Sequence, residues 1–330
     1  MAEPPRMTVI MPVRDEGANI SAALTSVLDQ DYPADRLQVL VVDGRSTDGT
    51  RDRVAAVAGS DPRVQLLDNP AGIVPTALNI GLAEATGEII VRVDGHCALP
   101  ADYLRACVGL LAATGADCVG GIIVTEGRTM VARAIAAAQS SPFGVGNAAF
   151  RTGRGGPGPV DTLAFGAYRR EVFDRIGGFD EELVRNQDDE FNLRLTQSGG
   201  TIWLDPSLRS TYASRATLGG LWRQYFGYGL YKVRVAQIHR RLPTWRSAIP
   251  GVFVVALVCS AVMSVAGRDR RPVLAVVLPY LIADAGATVV VGRKDPATLA
   301  VLPAVWACLH LAYGCGSIAG LWRWRHRFTG

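Results

Sequence analysis

Little in this sequence marks a secreted, metal-stapled or nucleic-acid-binding protein. The cysteines (Cys97, Cys107, Cys118, Cys259, Cys308 and Cys315) show neither CxxC spacing nor a histidine-rich neighbourhood. That argues against structural zinc and against a disulfide framework, and fits reduced thiols in a cytosolic setting. A formal net charge of +4 is too small to call for a nucleic acid partner, and much of the basic excess sits beside apolar segments, as at membrane flanks. The opening MAEPPRMTVIMPV runs from a brief apolar stretch straight into a charged turn, too short for a signal sequence, so export of the first domain is not expected. Internal repeats and low-complexity tracts are also lacking. So is a glycine turn after the first strand: PVRDEG stands where a dinucleotide fold needs GxGxxG. The near-match GVGNAA (Gly144 to Ala149) follows no strand and is a chance resemblance.

What is present is an alternation. Thr8 to Val13, Leu37 to Asp43, Val64 to Asp68, Glu88 to Asp94 and Cys118 to Val124 read as strands. Asn19 to Gln30, Thr50 to Ala58 and Val74 to Ala85 read as helices between them. Strands apolar on both faces and separated by helices predict an α/β fold with a mostly parallel, helix-covered sheet, whose ligands gather at the carboxyl ends of the strands. Ser141 to Pro159, rich in glycine and proline, reads as a long loop with a functional part to play. After it VDTLAF and Thr201 to Leu204 read as strands, and Arg170 to Ile176 and Asp189 to Ser198 as helices.

The last third of the chain has another character. Ala248 to Ala266, Val273 to Val291 and Leu299 to Leu321 each approach the ~20 residues that cross a bilayer, with three buried helices of a soluble domain as the alternative. Arg240, Arg241, Trp245 and Arg246, then Arg268 to Arg271, Arg293, Lys294 and the terminal WRWRHR bracket them. Asp284, an acid inside the second stretch, marks either a polar contact between helices or a shallow, re-entrant segment. Basic residues at both ends of the region leave the number of spans at two or three. The division predicted is 1–216 as an α/β domain, 217–246 as an amphipathic interfacial segment, and 247–330 as a membrane region with two to three transmembrane helices.

Three predicted strands end in acids: PVRDEG, VVDGRSTDGT and VRVDGHC. Carboxylates converging on one sheet edge accept hydrogen bonds from a base or ribose and, clustered, hold a divalent cation against a diphosphate. Singly, each suits a turn or cap, as Asp48 before Gly49 does.

Taken in order, VIMPVRDEGANI, VVDGRSTDGT, ALNIGLAEATGEIIVRVDGHC, VDTLAFGAYRREVFDRIGGFDEEL, NQDDEFNLRL and RQYFGYGLYK make the chain resemble family 2 glycosyltransferases of the GT-A fold, in particular the succinoglycan-type bacterial glucosyltransferases. The resemblance covers Met7 to Lys232 and continues into the apolar tail. It implies that Asp43, beside the turn Pro12, Val13, Arg14 and Glu16, meets the donor base, and that Asp94 lies near ribose and diphosphate. DGH takes the place of the family's DxD metal motif, so a divalent metal, Mn²⁺ or Mg²⁺, is implied on Asp94 and His96. Imidazole favours Mn²⁺, and a purely structural His96 is the alternative. NQDDEFNLRL takes the place of the ED motif, which makes Asp188 the general base and Asp189 its nearest rival. Gly166, Asp189, Arg223 and Gln224 fall in the acceptor or diphosphate region. RQYFGYGLYK lacks the Arg-Trp pair of processive relatives, so polymer extrusion is not expected. Arg223 and Lys232 are either interfacial or on the diphosphate.

The implied reaction is a single, inverting displacement that moves a hexose from a nucleotide diphosphate sugar, UDP-glucose by analogy, to a lipid-linked saccharide. The setting implied is exopolysaccharide or cell-envelope glycan synthesis at the bacterial cytoplasmic membrane, with the catalytic domain in the cytoplasm. Membrane lipid and other polysaccharide-assembly proteins are the implied partners. Transfer to a polyprenyl phosphate is the alternative enzyme reading, and a noncatalytic membrane scaffold with a nucleotide-sugar fold is the alternative of another class.

Overall fold

The computed structural model describes residues 3–241 and 244–327. Among these, nine strands form one mixed sheet: β1 (Met7–Val13), β2 (Leu37–Asp43), β3 (Val64–Asp68), β4 (Ile89–Arg92), β5 (Cys97–Ala98), β6 (Cys118–Glu126), β7 (Gly158–Val160), β8 (Ala167–Arg169) and β9 (Ile202–Ala213). The helices are, in chain order, α1 (Ile20–Leu28), α2 (Thr50–Ala58), α3 (Val74–Glu84), α4 (Tyr103–Thr114), α5 (Met130–Gln139), α6 (Pro142–Val145), α7 (Ala149–Thr152), α8 (Arg170–Ile176), α9 (Gln187–Gln197), α10 (Leu218–Ile238), α11 (Ile249–Gly267), α12 (Arg271–Gly292) and α13 (Leu302–Arg323). Two units emerge: Met1–Val124 with Ala149–Ala213, and Thr125–Ala148 with Ser214–Gly330. The segment Thr125–Ala148, which carries α5 and α6, therefore groups with the C-terminal helices rather than with the sheet that precedes it.

In the first unit the sheet order is β3-β2-β1-β4-β8-β6-β9-β5, with β7 also on β9. β3, β2, β1 and β4 are parallel, as continuous apolar runs such as the fully buried MTVIMPV demand when helices cover both faces. β8 then runs antiparallel to β4, and β6 antiparallel to β8. The parallel register aligns Val13 with Asp43 and Ile10 with Arg92. The carboxyl ends of β2 and β4 thus flank that of β1.

Three local expectations change. Ser141 to Pro159 is not one loop: Ser141 caps α6, its hydroxyl accepting the Phe143 N–H at 3.3 Å ahead of Pro142 at the first helical position, and α7 and the start of β7 follow. VDTLAF is not a strand, because Phe165 takes φ 56° and breaks the extension, leaving β7 and β8 on either side. The strand expected over Thr201 to Leu204 runs on to Ala213 through Pro206, a residue that reads as a turn in sequence.

The second unit is helical, with Ala134, Ile135, Leu221, Tyr225, Val305 and Trp306 in its core. Asp284 is buried and accepts the Thr288 hydroxyl at 3.3 Å, while the Trp306 indole N–H donates to that hydroxyl oxygen at 3.1 Å. The acid thus belongs to a polar contact between α12 and α13.

Candidate active site

The loops after β1 and β2 lock together through side chains. Asp15 N–H donates to the Ser46 hydroxyl (2.8 Å), Thr47 N–H to Asp15 Oδ1 (2.8 Å), Glu16 N–H to the Thr50 hydroxyl (2.8 Å), and Gly17 N–H to Asp48 Oδ2 (2.8 Å). Asp48 also accepts the Thr50 hydroxyl at 2.5 Å. That hydroxyl and the Gly17 N–H hold its carboxyl below the usual carboxylate range. Asp48 therefore joins the two loops and is not aimed at a ligand. Asp15 and Arg45 adopt φ 53° and 59° within these loops, a conformation uncommon in non-glycine residues that clusters at functional sites.

Asp43 ends β2 and is fully buried. It accepts the Ser46 hydroxyl at 2.6 Å and pairs with Arg51 at 3.2 Å, which also reaches Asp68 at 3.4 Å. The turn before it is held in place: Gly44 N–H donates to Val13 O at 2.8 Å, and Arg14 donates to Gly72 O at 3.0 Å. Pro12 and Val13 contribute buried backbone at the strand end.

On the other side of β1, the DGH turn packs its glycine against that same strand end. A Cβ at Gly95 would stand 2.9 Å from Val13 Cγ1 and 3.0 Å from Glu16 Cγ, so the close approach excludes a side chain. His96 Nδ1 lies 2.7 Å from Glu16 Oε1, and its ring meets Tyr212 edge-on at 4.7 Å. Its Nε2 is buried and has no hydrogen-bond partner. In the neutral tautomer that gives Nδ1–H to Glu16, Nε2 carries the lone pair, as in a ligating histidine with its orienting partner. Among the described residues no three His, Cys, Asp or Glu side chains converge as a ready-made metal cage. Asp94 and His96 are the residues of this turn that would hold a cation.

Asp94 is gripped by Arg92, whose Nε and Nη2 donate to its two oxygens at 2.9 and 3.2 Å. The third guanidinium nitrogen, Nη1, makes no hydrogen bond and stands 3.7 Å from Asp188 Oδ2. Burial by itself would lower the guanidinium's pKa, but the charges of Asp94 and Asp188 outweigh it and hold the pKa above its ordinary value. Cys97 next in line is pushed up to about 12 by burial and by Asp94, so it is no nucleophile. Arg92 is the residue that sequence reasoning missed. It lies inside the string IIVRVDGHC as an arginine at the end of an otherwise apolar strand, and burial cost alone marks such a position.

Asp188 opens α9 and accepts the Asp189 N–H at 2.9 Å, where the helix dipole favours an anion. Three ties set this helix. Tyr168 OH donates to Asn192 Oδ1 at 2.8 Å, and Asn192 donates to Leu163 O at 2.8 Å. Arg194 pairs with Glu190 at 3.0 Å and caps the carbonyls of Ile176 and Gly178. Glu190 and Arg194 are thereby committed to structure. Gly166 is a packing position: its O accepts Arg92 N–H at 3.3 Å, and a Cβ there would meet Cys118 Sγ at 2.6 Å.

Asp43, Glu16, Asp94, His96 and Asp188 therefore all belong to the first unit, and Arg92 joins Asp94 to Asp188 directly. Arg223 and Gln224 belong to the second unit on α10, where the Gln224 amide donates to Tyr228 OH at 3.1 Å.

The chain is similar to known proteins. The family model described as "Glycosyl transferase family 2" matches residues 8–177. Succinoglycan biosynthesis protein ExoA of Rhizobium meliloti (strain 1021) is 33% identical over 322 residues, spanning 96% of this chain and 93% of that one. A Methanococcus voltae enzyme, dolichyl N-acetyl-alpha-D-glucosaminyl phosphate 3-beta-D-2,3-diacetamido-2,3-dideoxy-beta-D-glucuronosyltransferase, is 25% identical over 234 residues, 68% of this chain and 72% of that one. Among solved structures, a mannosyltransferase from Pyrobaculum calidifontis in complex with GDP-Man and Mn²⁺ superposes with a TM-score of 0.62 at 22% identity, covering 98% of this chain and 88% of that one, which shows a shared fold.

Proposed function

The chain belongs to glycosyl transferase family 2 and is a glycosyltransferase of GT-A fold, and from that premise we propose that it inverts the anomeric centre of a nucleotide diphosphate hexose while passing the sugar to a lipid-linked saccharide in glycan synthesis. The observation that carries the reading is the Arg92 bridge, which places Asp94 and Asp188 on one guanidinium. Asp43, held by Ser46 and Arg51, is assigned to the donor base, with Pro12, Val13 and Arg14 shaping the wall beside it. Asp94 is assigned to the ribose and diphosphate side. Asp188 takes the proton from the attacking acceptor hydroxyl, a contribution of about 10²–10⁴ in rate. One displacement at the anomeric carbon inverts it.

The leaving diphosphate needs positive charge. Asp94 and His96 would hold a divalent cation, which when bound offsets the charge of that leaving group. The free Nε2 of His96 and its Glu16 partner favour Mn²⁺ over Mg²⁺. A lipid-linked saccharide is the acceptor class because the name of the Methanococcus relative describes a sugar on dolichyl phosphate, and because three apolar helices suggest membrane association of this chain.

The test is Asp188→Asn in detergent-solubilised protein, offered UDP-glucose or GDP-mannose, a polyprenyl-linked saccharide as acceptor, and Mn²⁺ or Mg²⁺. Donor binding by calorimetry should survive while transfer falls by at least about 10². Wild-type turnover in this variant would remove Asp188 from the mechanism.

A further inference from the structure

The three apolar helices of the second unit are not equivalent. Within the protein 11% of the apolar stretch in Trp245–Gly267 and 11% of that in α12 is buried, against 39% of that in α13. α11 and α12 turn their apolar side chains outward: Val252, Val262, Val265, Ile282 and Val290 are all more than 60% exposed. α13 does the opposite. From Leu302 to Gly320 only Pro303 and Ala304 are exposed, and Trp306, in its second turn, is fully buried.

What covers α13 is protein, and protein that carries charge. α10 lies along it from Cys308, whose thiol meets Leu218 O at 3.5 Å, to Trp324, whose carbonyl accepts the Gln237 amide at 3.0 Å. The backbones touch through glycines: a Cβ at Gly229 would fall 2.0 Å from Tyr313 O, and one at Gly316 would fall 2.1 Å from Phe226 O. α10 carries Arg223, Lys232 and Arg234, and α5, also packed on α13, carries Arg133 in an ion pair with Asp295 at 2.8 Å. A helix sheathed in this way cannot enter hydrocarbon without taking guanidinium and ammonium groups with it.

α11 and α12 themselves pack on α13, Pro250 and Val254 beside Gly314 and Tyr280 OH 3.1 Å from His310 Nδ1, but their outward faces carry no such sheath. At 19 and 22 residues they are ~28 and ~33 Å long, close to the ~30 Å of a hydrocarbon core. They are joined by a tight turn in which Ser264 Oγ accepts Val273 N–H at 3.0 Å and Asp269 accepts Arg271 N–H at 3.0 Å. Exposed Arg268, Arg270 and Arg271 stand at the tip. A hairpin that stopped inside the bilayer would bury those arginines, so the tip must reach water on the far side.

We propose that this protein crosses the membrane twice, through the α11–α12 hairpin alone, and that α13 returns on the near side as the core of a helical platform, so that the C-terminus lies on the same side as Arg240 and Arg241. The basic residues agree. With two spans, Arg240, Arg241, Arg246, Arg293, Lys294 and the Arg323–Arg327 tail share one face, leaving only the hairpin tip opposite. With three, the tail joins the tip and the bias that orients membrane proteins disappears.

The experiment uses the full chain in a bacterial host, with green fluorescent protein or alkaline phosphatase fused at the C-terminus and, separately, an epitope tag between Asp269 and Arg270. Signals are normalised to full-length fusion on a gel. Two spans require a fluorescent C-terminal fusion, an inactive phosphatase fusion, and a tag that antibody reaches in spheroplasts without permeabilisation. An active C-terminal phosphatase with dark green fluorescent protein would establish three spans and overturn the proposal. A tag reached only after permeabilisation would show that the hairpin does not cross, and would overturn it equally.

Discussion

Removing the guanidinium of Arg92 tests the centre of the proposed mechanism. Arg92→Ala deletes a two-pronged contact with Asp94 at 2.9 and 3.2 Å and an ion pair with Asp188 at 3.7 Å. The side chains are only 12%, 18% and 33% exposed, so little solvent intervenes. A unit pair at such distances is worth ~4 kcal/mol at the effective dielectric of a protein site. Leaving a fully buried carboxylate without its partner costs about 3–5 kcal/mol, and the partial exposure of Asp94 and Asp188 sets the lower figure as the ceiling here. At the lower figure the first unit's melting temperature falls by roughly 6–12 °C, from the ~2–4 °C per kcal/mol of a domain this size. Two carboxylates that lose their common anchor also lose position, and misplacement by an ångström costs about 10² in rate. Arg92→Lys, which keeps the charge but reaches one partner at a time, should recover most of the melting temperature and little of kcat. The assays are scanning fluorimetry and donor-dependent transfer on the same preparations. An alanine variant with wild-type kcat, or a lysine variant indistinguishable from wild type in both readouts, would refute the bridge as a positioning device.

Two further outcomes follow from the same geometry. Glu16→Ala takes away the group that orients His96 (2.7 Å); Mn²⁺ affinity, read from the paramagnetic resonance of free Mn²⁺ in the presence of nucleoside diphosphate, should drop about 10–100-fold, and an unchanged affinity would make the contact purely structural. Asp117 is subject to burial, which alone would raise its pKa, yet the Arg175 guanidinium at 2.6 Å and the Thr201 N–H at 2.8 Å outweigh that and hold the carboxyl below its ordinary value. Its contribution to stability is therefore complete above an unfolded-state pKa of ~3.9 and disappears as pH falls through the lower folded value. Asp117→Asn should melt below wild type at pH 7, with the difference closing below about pH 4; a gap that persists in acid would assign the loss to packing instead.

Sequence determined the elements whose signal is local. Alternating apolar runs and helices predict the four strands of the parallel core to within two residues, since a strand buried on both faces has to be apolar throughout, but their order in the sheet came only from the fold. Acids at three strand ends were visible for the same reason: one chemical anomaly closes each apolar run. The length of the tail helices was legible from hydropathy. Tertiary structure alone decided matters that depend on partners distant along the chain. Asp48 is a turn-holding acid and Asp43 a buried one, although both stand in VVDGRSTDGT, because Gly17 and Arg51 reach different carboxylates. Arg92 became central only when β4 brought it against a helix that begins nearly a hundred residues later. Likewise, three apolar stretches that look interchangeable in sequence separated into a pair facing outward and one enclosed by charged helices. Composition records how apolar a helix is; what stands beside it is a property of the fold.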